Sequence, residues 1–276
     1  MRRSGPGCQP FRPGCRPFVL DASVPCWTPG FPLPALVHAG FRTPAFGPAR
    51  YQGYDEAMIL YVLALGSPTF PADCTAWQAF TSTYKWGAFY GQEHVNFAPL
   101  FGHQYSHVWI DFRGIHDAYM RGRGIDYFEN SRRATLAQRA SAMDNPKRWR
   151  DYSGGIWGLT ASDGPKDTTM IIYGVSRRFH TYWARGAALG DIRDDGTIAP
   201  TAAGGSIPFA PEITIAALGA QRMRYGDDLF TRYGFMDAFN PALRDTTLVT
   251  RRGRTSLARD GSTTTSWAST RGRSSR

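Results

Sequence analysis

Two adjacent carboxylates, Asp194 and Asp195, open the stretch of this sequence that is best suited to carry chemistry. The residues that follow, 196–210, are mostly Gly, Ala, Ser, Thr, Ile and Pro, and an apolar helix is predicted to begin at Pro211. A loop so poor in bulky side chains must lie close to another backbone or to a ligand. The composition leaves both alternatives open: a tight crossover between core helices, or a loop that contacts a ligand.

A second pair of acids, Asp55 and Glu56, stands at the start of a predicted buried helix over residues 53–66. Gly66 and Pro68 end that helix, since neither residue continues it well. Acidic side chains in a first helical turn are favoured by the helix dipole, so simple capping is one interpretation. A carboxylate at a helix start that faces a cavity is, alternatively, a catalytic acid or base.

His103, His107 and Asp111 follow one another at intervals of four residues. On a helix these three side chains would share one face. They could then form a metal triad or a hydrogen-bonded polar patch that lines a pocket. No glutamate of an HExxH motif accompanies the two histidines, so we favour the polar patch and expect no metal and no cofactor.

Aromatic side chains are dense between residues 86 and 101, and turn residues lie between them, so the segment is predicted to be a loop. Exposed aromatic rings on loops suit a sugar-binding groove, because pyranose rings stack on flat apolar faces. They equally suit the edge of an ordinary core. Further helices are predicted over 74–86, 126–142 and 211–225, and a short β-hairpin over 168–182.

The net charge of +10 lies in the two ends of the chain. Residues 1–50 have six Arg and one acidic residue, and residues 244–276 have eight Arg and two acidic residues. Residues 51–243 have 18 basic and 19 acidic residues, a net charge of −1, which argues against a nucleic-acid-binding body. Cys8, Cys15 and Cys26 are spaced too widely for a CxxC zinc knuckle.

The ends also differ from the body in composition. Residues 1–50 are rich in Pro, Gly and Arg, so disorder is expected there and again in the basic tail, 244–276. We find no run long enough to span a membrane and no readable signal peptide. The compartment, periplasm or cytoplasm, stays open.

Six segments of the chain together resemble one protein family. They are GYDEAMILYVLALGSPT (53–69), LFGHQYSHVWIDFRG (100–114), YFENSRRATLAQRA (127–140), WGLTASDGP (157–165), DDGTIAPTAAGGSIPFAPE (194–212) and YGFMDAFN (233–240). They are similar to the bacterial glycoamylase-like domain of endo-β-1,2-glucanases and cyclic β-1,2-glucan synthases, in order over nearly all of 51–243. The resemblance implies an all-α fold, an (α/α)₆ toroid with a central groove, here incomplete and with the short hairpin as an insertion. It also implies hydrolysis of β-glucan, with β-1,2-glucan as the expected substrate.

Such hydrolysis needs two carboxyl groups across the glycosidic bond, about 6.5–9.5 Å apart when the configuration is inverted. The resemblance implies Glu56 as a catalytic carboxylate and Asp111, Asp194 and Asp195 as further pocket acids, without assigning acid and base. The expected substrate contacts are the aromatic platforms Trp86, Tyr105, Trp109, Trp157 and Trp183 and the polar side chains His103, His107 and Asp163. The family commonly has cysteine at the position of Ser162, a mild departure.

The chain departs from the family after DAFN, where the family continues into an acid-bearing motif. Residues 261–275, back-translated with permitted codons and regrouped in another frame, encode WFDDDFLGIDQGPIV, which matches that motif. We therefore interpret 244–276, and by its similar composition 1–50, as out-of-frame translation, a hypothesis that sequencing the gene tests. The expected protein is a monomer that acts on a glucan oligo- or polysaccharide, in a form that truncation could inactivate; the alternative is a non-catalytic glucan-binding remnant.

Overall fold

The structure, a computed structural model, describes residues 51–243 in full. Outside them it describes only the backbone of four short strands, at Phe41–Arg42, Ala45–Phe46, Gly253–Leu257 and Thr263–Trp267. The predictions of disorder and of out-of-frame translation concern segments that lie largely outside the described residues, and they stay predictions.

Seven α-helices are present in the described part of the chain. They are α1 (Met58–Leu65), α2 (Thr75–Ser82), α3 (Phe101–Gln104), α4 (Ala118–Arg121), α5 (Tyr127–Asp144), α6 (Pro200–Gly204) and α7 (Pro211–Tyr225), with 3₁₀ turns at Tyr105–Val108 and Gly226–Asp228. Helix α7 has the predicted bounds, and α5 lies within two residues of its predicted bounds.

Short antiparallel strands run between these helices. In chain order they are β1 (Phe41–Arg42), β2 (Ala45–Phe46), β3 (Trp86–Phe89), β4 (Gln92–Val95), β5 (Ala161–Asp163), β6 (Thr168–Ile172), β7 (Val175–Phe179), β8 (Tyr182–Ala184), β9 (Gly186–Ala188), β10 (Asp191–Arg193), β11 (Phe230–Thr231), β12 (Gly234–Phe235), β13 (Ala238–Asn240), β14 (Gly253–Leu257) and β15 (Thr263–Trp267). Strands β13, β15 and β14 form a three-stranded sheet, and the others pair as β1–β2, β3–β4, β5–β8, β6–β7, β9–β10 and β11–β12.

The expectation of an all-α fold, the (α/α)₆ toroid, is therefore wrong for this structure. Its described residues are 36 % helical and 20 % strand, in several small antiparallel sheets. The predicted hairpin is present as β6 and β7, but the aromatic segment predicted as a loop also forms a hairpin, β3 and β4. Aromatic residues suit a pleated, half-buried surface, which favours strands over a loop there.

Local signals explain where the long helices begin and end. The Asp126 carboxylate accepts a hydrogen bond from the Glu129 amide at 2.7 Å and caps the start of α5. Pro211 stands at the start of α7, where its missing amide hydrogen costs nothing. Gly226 ends that helix at a φ of +53°, a conformation that glycine adopts without strain.

The chain divides into two compact units, and each has its own core. Unit 1 comprises residues 1–85 and 105–130, and unit 2 comprises 86–104 and 131–276. The core of unit 1 is aromatic: the rings of Tyr61 and Phe80 stack with centroids 4.2 Å apart, and Tyr54 stacks on Tyr127 at 5.9 Å.

The core of unit 2 is built around buried tryptophans. One cluster places Trp157 among Leu100 and five alanines of α5, α6 and α7. A second cluster joins Trp149 to Phe179 at the end of β7. Small residues around the first indole let the three helices approach it closely, so they hold the central loop between β10 and α7 in place.

Candidate functional site

Asp195 is the centre of a buried ion pair in unit 2. Its carboxylate faces Arg185 through two hydrogen bonds, Nε to Oδ1 at 2.7 Å and Nη2 to Oδ2 at 2.8 Å, and both side chains are 0 % exposed. The same guanidinium donates to the carbonyl oxygens of Ser162 at 2.8 Å and His180 at 3.0 Å. Asp195 therefore ties β5, the end of β7 and the central loop together, because a buried charge requires such pairing.

Asp194, its neighbour in sequence, has a different environment. Its Oδ1 accepts hydrogen bonds from the Tyr152 hydroxyl at 2.8 Å and from the Gly196 amide at 2.9 Å. Burial raises the pKa of the Asp194 carboxyl to about 6, although these two donors and the positive charge of Lys147 oppose the shift. Asp194 also lines a small cleft together with Tyr152 and Lys147, so it can exchange protons near neutral pH.

The small-residue loop that follows is packed against protein, which favours the crossover alternative. A side chain at Gly196 would collide with the ring of Trp149, and one at Gly205 would collide with the Gln104 amide. The Gln104 Nε2 donates to the Ala202 carbonyl at 2.8 Å. Gly196 and Gly205 therefore allow close approach within unit 2, and the chemistry of this stretch is concentrated at Asp194 and Asp195.

A further pair of acids in unit 2 combines Asp163, which we expected from the sequence, with Asp237, which we did not. The Asp163 amide donates to the Asp237 Oδ2 at 2.9 Å. Burial and the neighbouring Asp163 charge raise the pKa of the Asp237 carboxyl. Asp237 lies in the YGFMDAFN segment, where its neighbours in sequence gave no sign of the distant Asp163.

Glu56, which the family resemblance implies as a catalytic carboxylate, lies in unit 1. It is half-buried in the turn before α1, and α1 begins only at Met58, so the prediction that Asp55 and Glu56 lie in the first helical turn is wrong. Asp55 is buried, and its Oδ1 accepts a hydrogen bond from the Ala57 amide at 2.9 Å. Burial raises the pKa of Asp55 to about 7, and the Glu56 charge adds to the shift. Sequence reasoning missed this property of Asp55; the aromatic residue beside it, Tyr54, was the available signal.

A buried carboxylate, Asp117, also joins several side chains of unit 1 through hydrogen bonds. Asp117 accepts hydrogen bonds from the Trp77 indole at 2.8 Å, the Tyr127 hydroxyl at 2.6 Å and the Met120 amide at 2.7 Å. Burial, helped by the charges of both Asp55 and Asp117, raises the pKa of Tyr84 well above its ordinary value. The two buried acids of this unit are thus set among aromatic rings.

The predicted shared face of His103, His107 and Asp111 is absent. His103 lies in α3 of unit 2, His107 lies in the 3₁₀ turn Tyr105–Val108 of unit 1, and Asp111 follows in irregular backbone. Asp111 is exposed and paired with Arg113 at 2.8 Å, and this hydrogen bond lowers its pKa. Burial lowers the pKa of His107 to about 4, so its imidazole is neutral at pH 7. Within residues 51–243 no group of three or more His, Cys, Asp or Glu side chains could hold a metal ion.

The expected aromatic platforms differ in how much of each residue is exposed to solvent. Trp157 is 0 % exposed, so its ring has no free face for a sugar. Trp86 and Trp183 are half-buried, and Trp183 packs on the His180 ring at 4.2 Å. Trp109 is 68 % exposed and Tyr105 48 %, both in unit 1. Of these rings, Trp109 is the most suited to stacking on a pyranose.

Comparison with known proteins assigns the family. The family model Glycoamylase, described as "Putative glucoamylase", matches residues 48–267. The chain belongs to the glycoamylase family. A glycoamylase relative from Parabacteroides distasonis, an exo-β-1,2-glucooligosaccharide sophorohydrolase acting at the non-reducing end, is 28 % identical over 213 residues, which cover 68 % of this chain and 27 % of the relative.

Solved structures agree with this assignment. An endo-β-1,2-glucanase from Chitinophaga pinensis, in complex with sophorotriose and glucose, superposes with a TM-score of 0.63 at 28 % identity, over 75 % of this chain and 48 % of that one. A β-1,2-glucanase from Parabacteroides distasonis gives a TM-score of 0.57 at 26 % identity, over 70 % and 28 % of the two chains. This glycoamylase chain therefore spans less than half the length of these relatives. None of its described helices is long and apolar enough to cross a membrane.

Proposed function

We propose that this chain is a glycoside hydrolase that cleaves β-1,2-glucan with two carboxyl groups and inversion of configuration. The relatives named above act on β-1,2-linked glucans or glucooligosaccharides, which supports the substrate. The observation that carries the proposal is the carboxyl group of half-buried Asp194, which accepts a hydrogen bond from Tyr152 and has a pKa raised to about 6 by desolvation. A general acid must keep its proton near the working pH, and burial provides that condition.

The candidate carboxyl groups differ in whether their surroundings allow proton transfer. Asp195 is neutralised by Arg185, and Asp111 is an exposed, ion-paired carboxylate, so neither suits proton transfer. We propose Asp194 as the general acid. Glu56 remains a candidate catalytic carboxylate because of the family resemblance. Asp55 beside it is a further acid that holds its proton near neutral pH.

Trp109 and Tyr105 are proposed as sugar platforms because their rings are exposed. Stacking on such a ring lowers the free energy of binding without taking part in the chemistry. Loss of the Trp109 ring should therefore raise KM and leave kcat little changed.

The test is a reducing-sugar assay on linear β-1,2-glucan with the full chain and with Asp194→Asn, Glu56→Gln and Asp111→Asn. Loss of general acid–base catalysis should lower kcat by a factor of about 10²–10⁴ for the first two variants. Asp111→Asn is the matched control and should keep its activity. The anomer released, followed by NMR in the first minutes of the reaction, reports inversion or retention.

Turnover that survives Asp194→Asn would remove this carboxyl from the mechanism. Glucan binding without turnover, unchanged in Glu56→Gln, would instead support a glucan-binding remnant. Release of the anomer with retained configuration would contradict the inverting mechanism while leaving the substrate assignment intact.

A further inference from the structure

The segment that follows α5, residues 145–152, places two polar side chains in hydrogen-bonding contact with Asp194. The Tyr152 hydroxyl donates to the Asp194 Oδ1 at 2.8 Å, and the Lys147 ammonium donates to the Asp194 carbonyl oxygen at 3.0 Å. All three residues line the cleft described above, together with Asn145 and Ile192. One side chain therefore holds the carboxyl, and the other holds the backbone that carries it.

The Tyr152 ring and the backbone at Lys147 are held by the surrounding structure. The Tyr152 ring packs against the Trp157 and Trp149 clusters described above. It also packs against a further cluster of unit 2, formed by Ile156, Ile198, Tyr225, Leu229 and Phe239. The Arg177 Nη2 donates to the Lys147 carbonyl at 2.6 Å, and the Asn145 side chain bonds both the amide and the carbonyl of Trp149 at 2.7 Å. The segment is thus pre-organised, and little conformational freedom is left to lose when Asp194 ionises.

The charged and titratable groups around Asp194 come from three parts of the fold. Tyr152 and Lys147 both favour the ionised carboxylate, one by hydrogen bonding and one by its positive charge. Asp195, on the same loop, disfavours it, but that charge is paired with Arg185 from the β8–β9 connection. Burial raises the pKa of Tyr152 well above its ordinary value, so its hydroxyl stays protonated and acts as a donor.

We propose that Tyr152 and Lys147 are positioning residues that set the proton affinity of the Asp194 carboxyl and, through it, the pH range of glucan hydrolysis. This inference rests on the proposed function of Asp194 as a proton-carrying group. Both side chains stabilise the ionised carboxylate more than the neutral carboxyl, Tyr152 through its hydrogen bond and Lys147 through its charge, so removal of either one favours the protonated form. The proton is then held to a higher pH, so the limb of the pH–rate profile that reports loss of the acid must move upward.

The experiment uses the full chain labelled with ¹³C at aspartate carboxyls, with the Asp194 signal assigned from its loss in Asp194→Asn. Tyr152→Phe keeps the packed ring and removes the hydroxyl, and Lys147→Met keeps the length and removes the charge. A hydrogen bond to a charged group corresponds to a shift of about 1–2 pH units, so the Asp194 titration should move up by about that amount in Tyr152→Phe. Lys147→Met should move it in the same direction, and Lys147→Arg should restore the original midpoint. Tyr173→Phe, on an exposed turn, is the matched control.

An upward shift of the Asp194 titration, with the same upward shift of the kcat/KM profile on β-1,2-glucan, supports the inference. A titration midpoint that stays within about 0.3 unit of the unsubstituted chain in both Tyr152→Phe and Lys147→Met overturns it. A shifted titration with an unshifted rate profile overturns its catalytic part. If the unsubstituted chain does not hydrolyse the glucan at all, the proposed function fails, and the titration still decides whether these residues set the Asp194 proton affinity.

Discussion

Replacement of Asp195 by asparagine should destabilise the protein severely, whereas the same change at Asp194 should not. Asp195 and Arg185 are both 0 % exposed, and the guanidinium also holds the Ser162 and His180 carbonyls. Asp195→Asn leaves a buried positive charge without its counter-ion. Breaking a buried pair in this way costs about 3–5 kcal/mol.

That cost is a large part of the free energy of unfolding of an ordinary domain, which is about 5–15 kcal/mol. For a chain of this size it corresponds to a fall in Tm of about 6–20 °C. The assay is urea and thermal unfolding, followed by circular dichroism and tryptophan fluorescence. Asp111→Asn, in an exposed ion pair, is the matched control and should unfold with the unsubstituted chain.

Removal of both charges separates the ion pair from other effects. In Arg185→Met/Asp195→Leu no unpaired charge is buried, so the double variant should recover part of the stability lost in Asp195→Asn. A loss of less than about 1 kcal/mol in Asp195→Asn would refute the reasoning, since a well-paired buried carboxylate could not be neutralised so cheaply. A double variant no more stable than Asp195→Asn would show that the loss comes from packing and not from charge.

Three further outcomes are expected. Asp55 binds its proton more tightly in the folded protein, with a pKa of about 7, so the free energy of unfolding should fall as pH rises from about 4 to 7. In urea titrations at several pH values, Asp55→Asn should reduce that dependence. Trp109→Ala should raise KM for β-1,2-glucan and leave Tm unchanged, because the ring is exposed. Trp157→Ala should lower the free energy of unfolding, measured in urea, by about 3–5 kcal/mol, because it leaves a cavity in the core. Gly164→Ala should lower Tm, by a loss of about 1–3 kcal/mol, because its added methyl group would collide with the Arg185 guanidinium and the His180 carbonyl; an unchanged Tm would contradict that packing.

Elements with strong local signals were predictable from the sequence. Helix α7 was predicted with its bounds, and Pro211 was the local signal for its start. The β6–β7 hairpin was predicted from β-branched residues on either side of Gly174. The six quoted segments also identified the glycoamylase family, since they recur in order over most of the chain.

Predictions that depended on spacing alone were wrong. His103, His107 and Asp111 share a face only on an uninterrupted helix, and the chain changes from an α-helix to a 3₁₀ turn at Tyr105. The segment 86–101 has the composition of a loop or a core edge, but strand pairing selects a hairpin there. The turn between the two strands consists of Tyr90 and Gly91, both at positive φ, and this two-residue turn is a local signal that the composition of the segment did not reveal.

Local sequence was enough for α5, α7, the β6–β7 hairpin and the family, because helix-start signals, β-branched runs and family motifs each depend on a few neighbouring positions. It could not distinguish Asp194 from Asp195, two identical side chains in adjacent positions. The folded chain brings Arg185 to one of them and Tyr152 to the other, so one becomes a buried ion pair and the other a carboxyl that retains its proton to about pH 6. That difference arises only in the tertiary structure, since burial and partners distant in sequence decide whether a carboxyl holds its charge.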